Sequence, residues 1–239
     1  MITKIIALGC SITEQVGWAA YLSECMSLPL VNLAVSSGSN QLQQKRIQEY
    51  IFKNDIAPDD IVVWQITATY RSQARLVADH HNLQLAKEDA KGCDYSPSIV
   101  SSKNIFDGKD RIDFLSHSNY ALQSRTVIDY SIEPQLLEDL LFYLIAISKM
   151  TSNLLVVFGW DTVLSADYIS KFKQELDLHK INYVIPTIVS YCHTYKLAFN
   201  GYTTHPTNGS SRIYARDVLI PKLNKMINTN IPTLPIGIH

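Results

Sequence analysis

The stretch Thr3-Lys4-Ile5-Ile6-Ala7-Leu8-Gly9-Cys10-Ser11-Ile12-Thr13 opens on a short apolar run and breaks at a glycine. A run that is apolar at consecutive positions, rather than at alternate ones, suits a strand buried on both faces. Gly9 marks its end. A serine just past such a strand, at the start of a loop leading to a helix, presents its hydroxyl at the carboxyl edge of a sheet. Trp18 to Leu28 then reads as that helix, with Trp18, Leu22, Cys25 and Met26 near one face.

The same alternation continues outward. Leu30 to Val35 is a second apolar run, and Gln41 to Phe52 a helix carrying Leu42, Ile47, Tyr50 and Ile51. Pro58-Asp59-Asp60 is a turn, and Ile61 to Ile66 a third strand. Pro134 to Met150 is a strong helix with proline in its first turn. Leu154 to Phe158 reads as a strand, Ala166 to Leu178 as a helix, Tyr183 to Val189 as a strand, and Ser210 to Ile227 as a last helix. Strands alternating with helices predict an α/β fold with a mostly parallel sheet.

One segment departs from the rhythm. Tyr70 to Ser131 is polar, rich in Ser, Asp, Asn and His, with few periodic apolar positions. Loops of this length inside a compact domain are usually functional or disordered. It reads as an insertion at the end of the third strand, spanning about residues 70–132 of one α/β domain covering 1–239. Ligands of open parallel sheets bind at that end, so the insertion is expected to form a lid or a substrate wall.

Composition narrows the function classes. With 46% hydrophobic residues and 18% charged, the chain is not of the disordered kind. A net charge of -1 leaves no electrostatic footprint for nucleic acid or an anionic membrane. No stretch approaches the roughly 18 apolar residues of a membrane span. Five apolar positions after Lys4 fall short of a secretory signal. Cys10, Cys25, Cys93 and Cys192 are scattered and fit reduced thiols, so a cytoplasmic location is expected. His80, His81 and His117 fit no metal-ligand spacing and read as solvated loop residues. No metal and no cofactor is expected.

Three segments carry candidate chemistry. Ser11 follows the first strand, and its backbone N–H, near a helix start, can help bind an oxyanion. Asn32-Leu33-Ala34-Val35-Ser36-Ser37-Gly38-Ser39-Asn40 closes the second strand. Gly38 permits positive φ or close approach to a ligand, while Ser39 or Asn40 suits a helix cap. Thr204-His205-Pro206-Thr207-Asn208-Gly209 precedes the last helix. Pro206 favours an extended backbone at His205, from which the imidazole can act as a general base. The chain holds only nine glycines, yet Gly9 and Gly38 fall at these strand ends and Gly201 and Gly209 flank His205.

Together these segments resemble the SGNH hydrolase superfamily, the GDSL-type esterases and lipases. Gly9-Cys10-Ser11-Ile12-Thr13 looks like the nucleophile block, Asn32 to Asn40 like the second block, and His205-Pro206 like the block with the catalytic histidine. The resemblance implies a three-layer flavodoxin-like fold with a five-stranded parallel sheet. It implies that Ser11 attacks an ester carbonyl, that His205 takes the proton, and that water releases the acyl group. Oxyanion donors would be the amides of Ser11 and of Gly38 or Ser37. The substrate would be a small-molecule or carbohydrate ester, such as an O-acylated sugar. An O-acyltransferase and a non-catalytic binding module on the same fold are the alternatives.

The resemblance departs in three places. Cys10 stands where the family usually has Asp, and reads either as a second nucleophile or as a small buried residue. The third strand ends Gln65-Ile66-Thr67-Ala68-Thr69-Tyr70-Arg71 without the family's oxyanion Asn, leaving Thr67, Thr69 or Gln65 in its stead. Tyr202 and Thr203 occupy the place of the triad Asp. The acceptor for the imidazole is then a backbone carbonyl, giving a Ser–His dyad, or a carboxylate from elsewhere such as Asp161. Trp64, Tyr70 and Arg71 lie near the site edge, where an aromatic can stack on a sugar, although core packing accounts for Trp64 more simply.

Overall fold

A computed structural model describes residues 2–15, 17–36, 39–67, 73–75, 98–103, 110–115, 133–160, 166–201 and 205–236. Its main sheet is built from β1 (Ile5–Leu8), β2 (Leu30–Asn32), β3 (Ile61–Ile66), β7 (Asn153–Phe158) and β8 (Asn182–Val184). All pairings are parallel and the spatial order is β2-β1-β3-β7-β8. This is the doubly wound flavodoxin-like order, and its switch point lies between β1 and β3.

The helices are α1 (Ser11–Glu14), α2 (Trp18–Met26), α3 (Asn40–Lys53), α4 (Glu133–Met150), α5 (Ala166–Leu178), α6 (Ile188–Thr194), α7 (Asn208–Tyr214) and α8 (Ile220–Ile227). A π-helical segment, Ala215–Leu219, joins α7 to α8. The helices cover both faces of the sheet. Side chains alternate across a strand, so Ile5, Ala7, Ile61, Val63, Leu155 and Val157 pack with α2, α6, α7 and α8. Ile6, Leu8, Val62, Trp64, Ile66 and Val156 pack with α3, α4 and α5. Both faces are apolar, which is why the strands read as unbroken apolar runs. Trp64 is fully buried in the second of these cores.

Two local readings need correction. The run Tyr183 to Val189 is not one strand: β8 stops at Val184 and α6 starts at Ile188. Thr187 is the boundary, its side chain accepting the Ser190 N–H at 3.0 Å as a helix cap. The second strand ends at Asn32, because the Asn32 side chain accepts the Ala34 N–H and turns the chain.

Within the segment after β3, the described residues form a separate antiparallel sheet of β4 (Gln73–Arg75), β5 (Ser98–Lys103) and β6 (Asp110–Leu115), ordered β4-β6-β5. Tyr70, Arg71, His80, His81, Cys93 and His117 lie outside the described residues.

At the amino edge of the main sheet, Asp60 joins β1 to β3. Its buried carboxylate accepts from Thr3 Oγ1, from the Ala57 N–H at 2.8 Å and from Lys4 Nζ at 3.3 Å.

Cys10, Cys25 and Cys192 are buried. Burial pushes the Cys192 thiol up to about 12, so it is neutral and unreactive at pH 7. Iodoacetamide is expected to leave Cys192 unmodified in the folded protein and to alkylate it in urea, as read by peptide mass mapping. An adduct on Cys192 in the native protein would contradict this burial.

Among the described residues, no helix is long and apolar enough to cross a membrane.

Candidate active site

The carboxyl ends of β1 and β3 place three segments together. Ser11 is the first residue of α1, two positions past Gly9. The Cys10 carbonyl accepts from the Thr13 and Glu14 N–H groups, both at 2.9 Å, closing the turn that carries Ser11. The leading amides of such a turn have no intrahelical partner. Asn32 at the end of β2 donates from Nδ2 to the Thr13 carbonyl at 3.1 Å and ties the turn to the second segment.

His205 comes from the far end of the chain. Its segment is clamped to residues 198–200: Asn200 N–H donates to the His205 carbonyl at 2.8 Å, and Thr207 N–H to the Ala198 carbonyl at 3.0 Å. Phe199 and Pro206 form the bridge between these two stretches. Thr207 then caps α7 through its Oγ1, which accepts the Ser210 N–H at 3.2 Å. Trp160, just past β7, stands edge-on to the imidazole, with ring centroids 5.1 Å apart. Ser211 reaches across to accept the Trp18 N–H at 3.2 Å, so α7 is fastened to the start of α2.

These supports bring Ser11 Oγ within 2.6 Å of His205 Nε2, although 194 positions separate the two residues. With the imidazole protonated on Nδ1, Nε2 accepts the serine hydroxyl proton. That is the geometry a serine needs before it becomes a nucleophile. Ser11 is 6% exposed, so its hydroxyl is largely shielded from water, while His205 is half-buried.

Thr67 follows β3 directly and is fully buried. Asn40, the first residue of α3, holds its backbone on both sides: Asn40 Nδ2 donates to the Thr67 carbonyl and Asn40 Oδ1 accepts the Thr67 N–H, each at 3.0 Å. Ser39 is the cap of α3, accepting the Leu42 N–H at 3.2 Å. Thr67 Oγ1 is buried and has no hydrogen-bond partner among the described residues.

Gln65 turns away from the open edge. Its Oε1 accepts from Thr13 Oγ1 at 2.7 Å and from the Cys10 N–H at 3.3 Å, beneath the serine turn. Cys10 is fully buried, its sulfur against the same amide. It therefore packs as a core residue. From the sequence alone Asn40 reads only as a candidate cap and Gln65 only as a candidate oxyanion donor. Their clamping roles were signalled by residue type alone: a polar side chain in an apolar strand, and an Asn beside a capping Ser.

Ser37, Gly38, Thr69, Asp161, Tyr202 and Thr203 lie outside the described residues. Among the described residues, no group of three His, Cys, Asp or Glu side chains is arranged to hold a metal ion.

No family model matches the chain, and no curated protein matches it. Its likeness is to solved structures. The psychrotrophic esterase EstA from Pseudoalteromonas superposes with a TM-score of 0.52 at 13% identity, over 95% of this chain and 100% of that one. A member of the lipolytic G-D-S-L family from Veillonella parvula gives 0.50 at 13% identity, over 90% and 94%. The YxiM protein of Bacillus subtilis gives 0.51 at 13% identity over 96% of this chain, which spans 58% of that protein. The likeness at this identity is one of fold: a five-stranded parallel sheet between two helical layers, shared with G-D-S-L esterases.

Proposed function

We propose, for a chain with the fold of the G-D-S-L esterases, that it is a serine-dependent ester hydrolase. The observation that carries this reading is the 2.6 Å contact between Ser11 Oγ and His205 Nε2 at the carboxyl edge of the sheet. Ser11 Oγ attacks the ester carbonyl carbon while its proton passes to His205 Nε2. The C–O bond to the alcohol breaks, and the alcohol leaves with that proton. Water then attacks the acyl-serine, giving its proton to His205 and releasing the acid, and the proton returns to Ser11.

The tetrahedral intermediate needs donors fixed in advance. The Ser11 N–H at the head of α1 is the first. Ser37 or Gly38 is proposed to supply a second amide. Thr67 Oγ1 is proposed as the side-chain donor in place of an Asn, since a buried hydroxyl without a partner is unfavourable until something accepts from it. The substrate is proposed to be an ester of a small molecule or carbohydrate, with the polar insertion after β3 forming its wall.

The test is covalent. Wild-type protein incubated with a fluorophosphonate is expected to gain one adduct that maps to Ser11. No adduct, together with no hydrolysis of short-chain aryl esters, would leave only a binding role for this edge.

Thr67→Val probes the donor separately, because valine keeps the shape and removes only the hydroxyl. It is expected to lower kcat by about 10²- to 10³-fold. Stability is expected to hold or rise, since the change deletes a buried, unpartnered hydroxyl. Unchanged kcat would remove Thr67 from the oxyanion site.

A further inference from the structure

We propose that Gln65 is a positioning residue whose single buried amide keeps the Ser11 turn and the wall behind His205 in register. The proposal rests on the acyl-serine reading above.

Gln65 lies in β3 on the same face as Ile61 and Val63, where an apolar side chain would bury without cost. It is fully buried, and an amide there is unfavourable unless its groups are bonded. Its partners fix which way it faces. The Cys10 N–H can only donate, so Oε1 points to the serine turn. The Ile66 carbonyl can only accept, so Nε2 is the atom 3.3 Å from it, and Nε2 also donates to Cys10 Sγ at 3.4 Å. Oε1 thereby holds the residue before Ser11 and, through Thr13 Oγ1, the residue two beyond it.

The Nε2 end reaches the other half of the site. The Ile66 carbonyl also accepts the Gly159 N–H at 3.1 Å, and the Gly159 carbonyl accepts the Val189 N–H at 3.2 Å. The next residue is Trp160, whose ring stands against His205. Two glycines make the slot for the amide. A Cβ at Gly159 would fall 2.1 Å from Gln65 Nε2, and one at Gly9 would fall 2.6 Å from Oε1. Both distances are far inside contact, so the Gly159 position is closed by Gln65, and the Gly9 position by Gln65 together with Thr13 Oγ1, 2.1 Å from the same Cβ. The amide therefore packs directly against the backbone that leads to Ser11 and the backbone that leads to Trp160.

The experiment compares Gln65→Met, which keeps length and loses every hydrogen bond, with Gln65→Glu. The readouts are kcat and KM on an aryl ester, the fluorophosphonate labelling rate, and the imidazole ¹⁵N resonances of His205, with Ser11→Ala as the spectral reference. Gln65→Met is expected to lose about 10²-fold in kcat and in labelling rate with KM little changed, the size of effect a misplacement of about 1 Å produces. The His205 resonances are expected to move toward those of Ser11→Ala. In Gln65→Glu the protonated carboxyl regains one donor beside an acceptor oxygen, where the amide has two N–H donors and an acceptor oxygen, so its activity relative to wild type is expected to rise as pH falls. A folded Gln65→Met with wild-type labelling and wild-type His205 resonances would overturn the proposal. If Gln65→Met does not fold, a Gln65→Glu to wild-type ratio that is flat with pH does the same. If the wild type forms no adduct and cleaves no ester, the acyl-serine reading fails, while the His205 resonances still decide the role of Gln65.

Discussion

Ser11→Ala is expected to lower kcat for ester hydrolysis by about 10⁴- to 10⁶-fold and to abolish fluorophosphonate labelling. The loss should be this large because nothing else in the described site replaces the bond that Oγ forms with the acyl carbon. His205→Ala is expected to fall by a comparable factor, since the hydroxyl 2.6 Å away then has no base to take its proton. The double variant should be no worse than either single one. Two residues that act as one unit lose their joint contribution when the first is removed. Ser11→Ala deletes one largely buried hydroxyl and leaves the fold intact, so its melting curve should overlay that of the wild type. Steady-state kinetics on the three variants checks all of this. A Ser11→Ala protein within about tenfold of wild type, or losses that multiply in the double variant, would refute the paired mechanism.

Asp60→Ala is expected to destabilise the protein by about 1.5–3 kcal/mol at pH 7 without touching the site. The carboxylate is buried at the opposite edge of the sheet, where it gathers Thr3, Lys4 and the Ala57 amide around the ends of β1 and β3. Its removal leaves Lys4 Nζ and the Ala57 N–H without the group they bond there. Burial by itself raises the carboxyl, but the hydrogen bonds from Thr3, Ala57 and Lys4 outweigh it and hold Asp60 below the ordinary carboxylate range. The sign follows. A value lowered in the folded state means a contribution present in full above the unfolded value near pH 4, and lost as pH falls through the folded value. Urea unfolding of wild type and Asp60→Ala at pH 7 and at low pH should therefore give two midpoints that converge on acidification. A wild-type advantage that stays constant down to pH 2 would contradict it.

Much of the fold was legible because burial is encoded locally. Ile61 to Ile66 is apolar at every position but Gln65 since both of its faces are covered, and Leu137, Leu140, Leu144 and Ile147 return on one side of α4 since only that side is buried. Where the reading slipped, two local signals competed. Tyr183 to Val189 is apolar enough for a strand, yet Pro186 and the capping Thr187 end it and start a helix. The π-helical turn at Ala215–Leu219 was not anticipated inside the last helix, although the buried residues Ser211, Ala215, Leu219 and Leu223 recur every four positions across it.

The site divides along the same line. By itself the sequence determined that a serine follows one strand end, that a histidine fixed by proline precedes the last helix, and that glycines gather at both. It also held Gln65 and Asn40 in plain view as polar residues where apolar or merely capping ones would serve. Only the tertiary structure decided that Ser11 and His205 touch, that Asn40 grips Thr67, and that Gln65 faces the serine turn rather than the open edge. The reason is register. Periodicity along a strand sets which side chains point to the same face, but the pairing of Leu8 with Trp64 and of Ile66 with Phe158 sets what each one meets. Those pairings join segments far apart in the chain, and no run of neighbouring residues contains them.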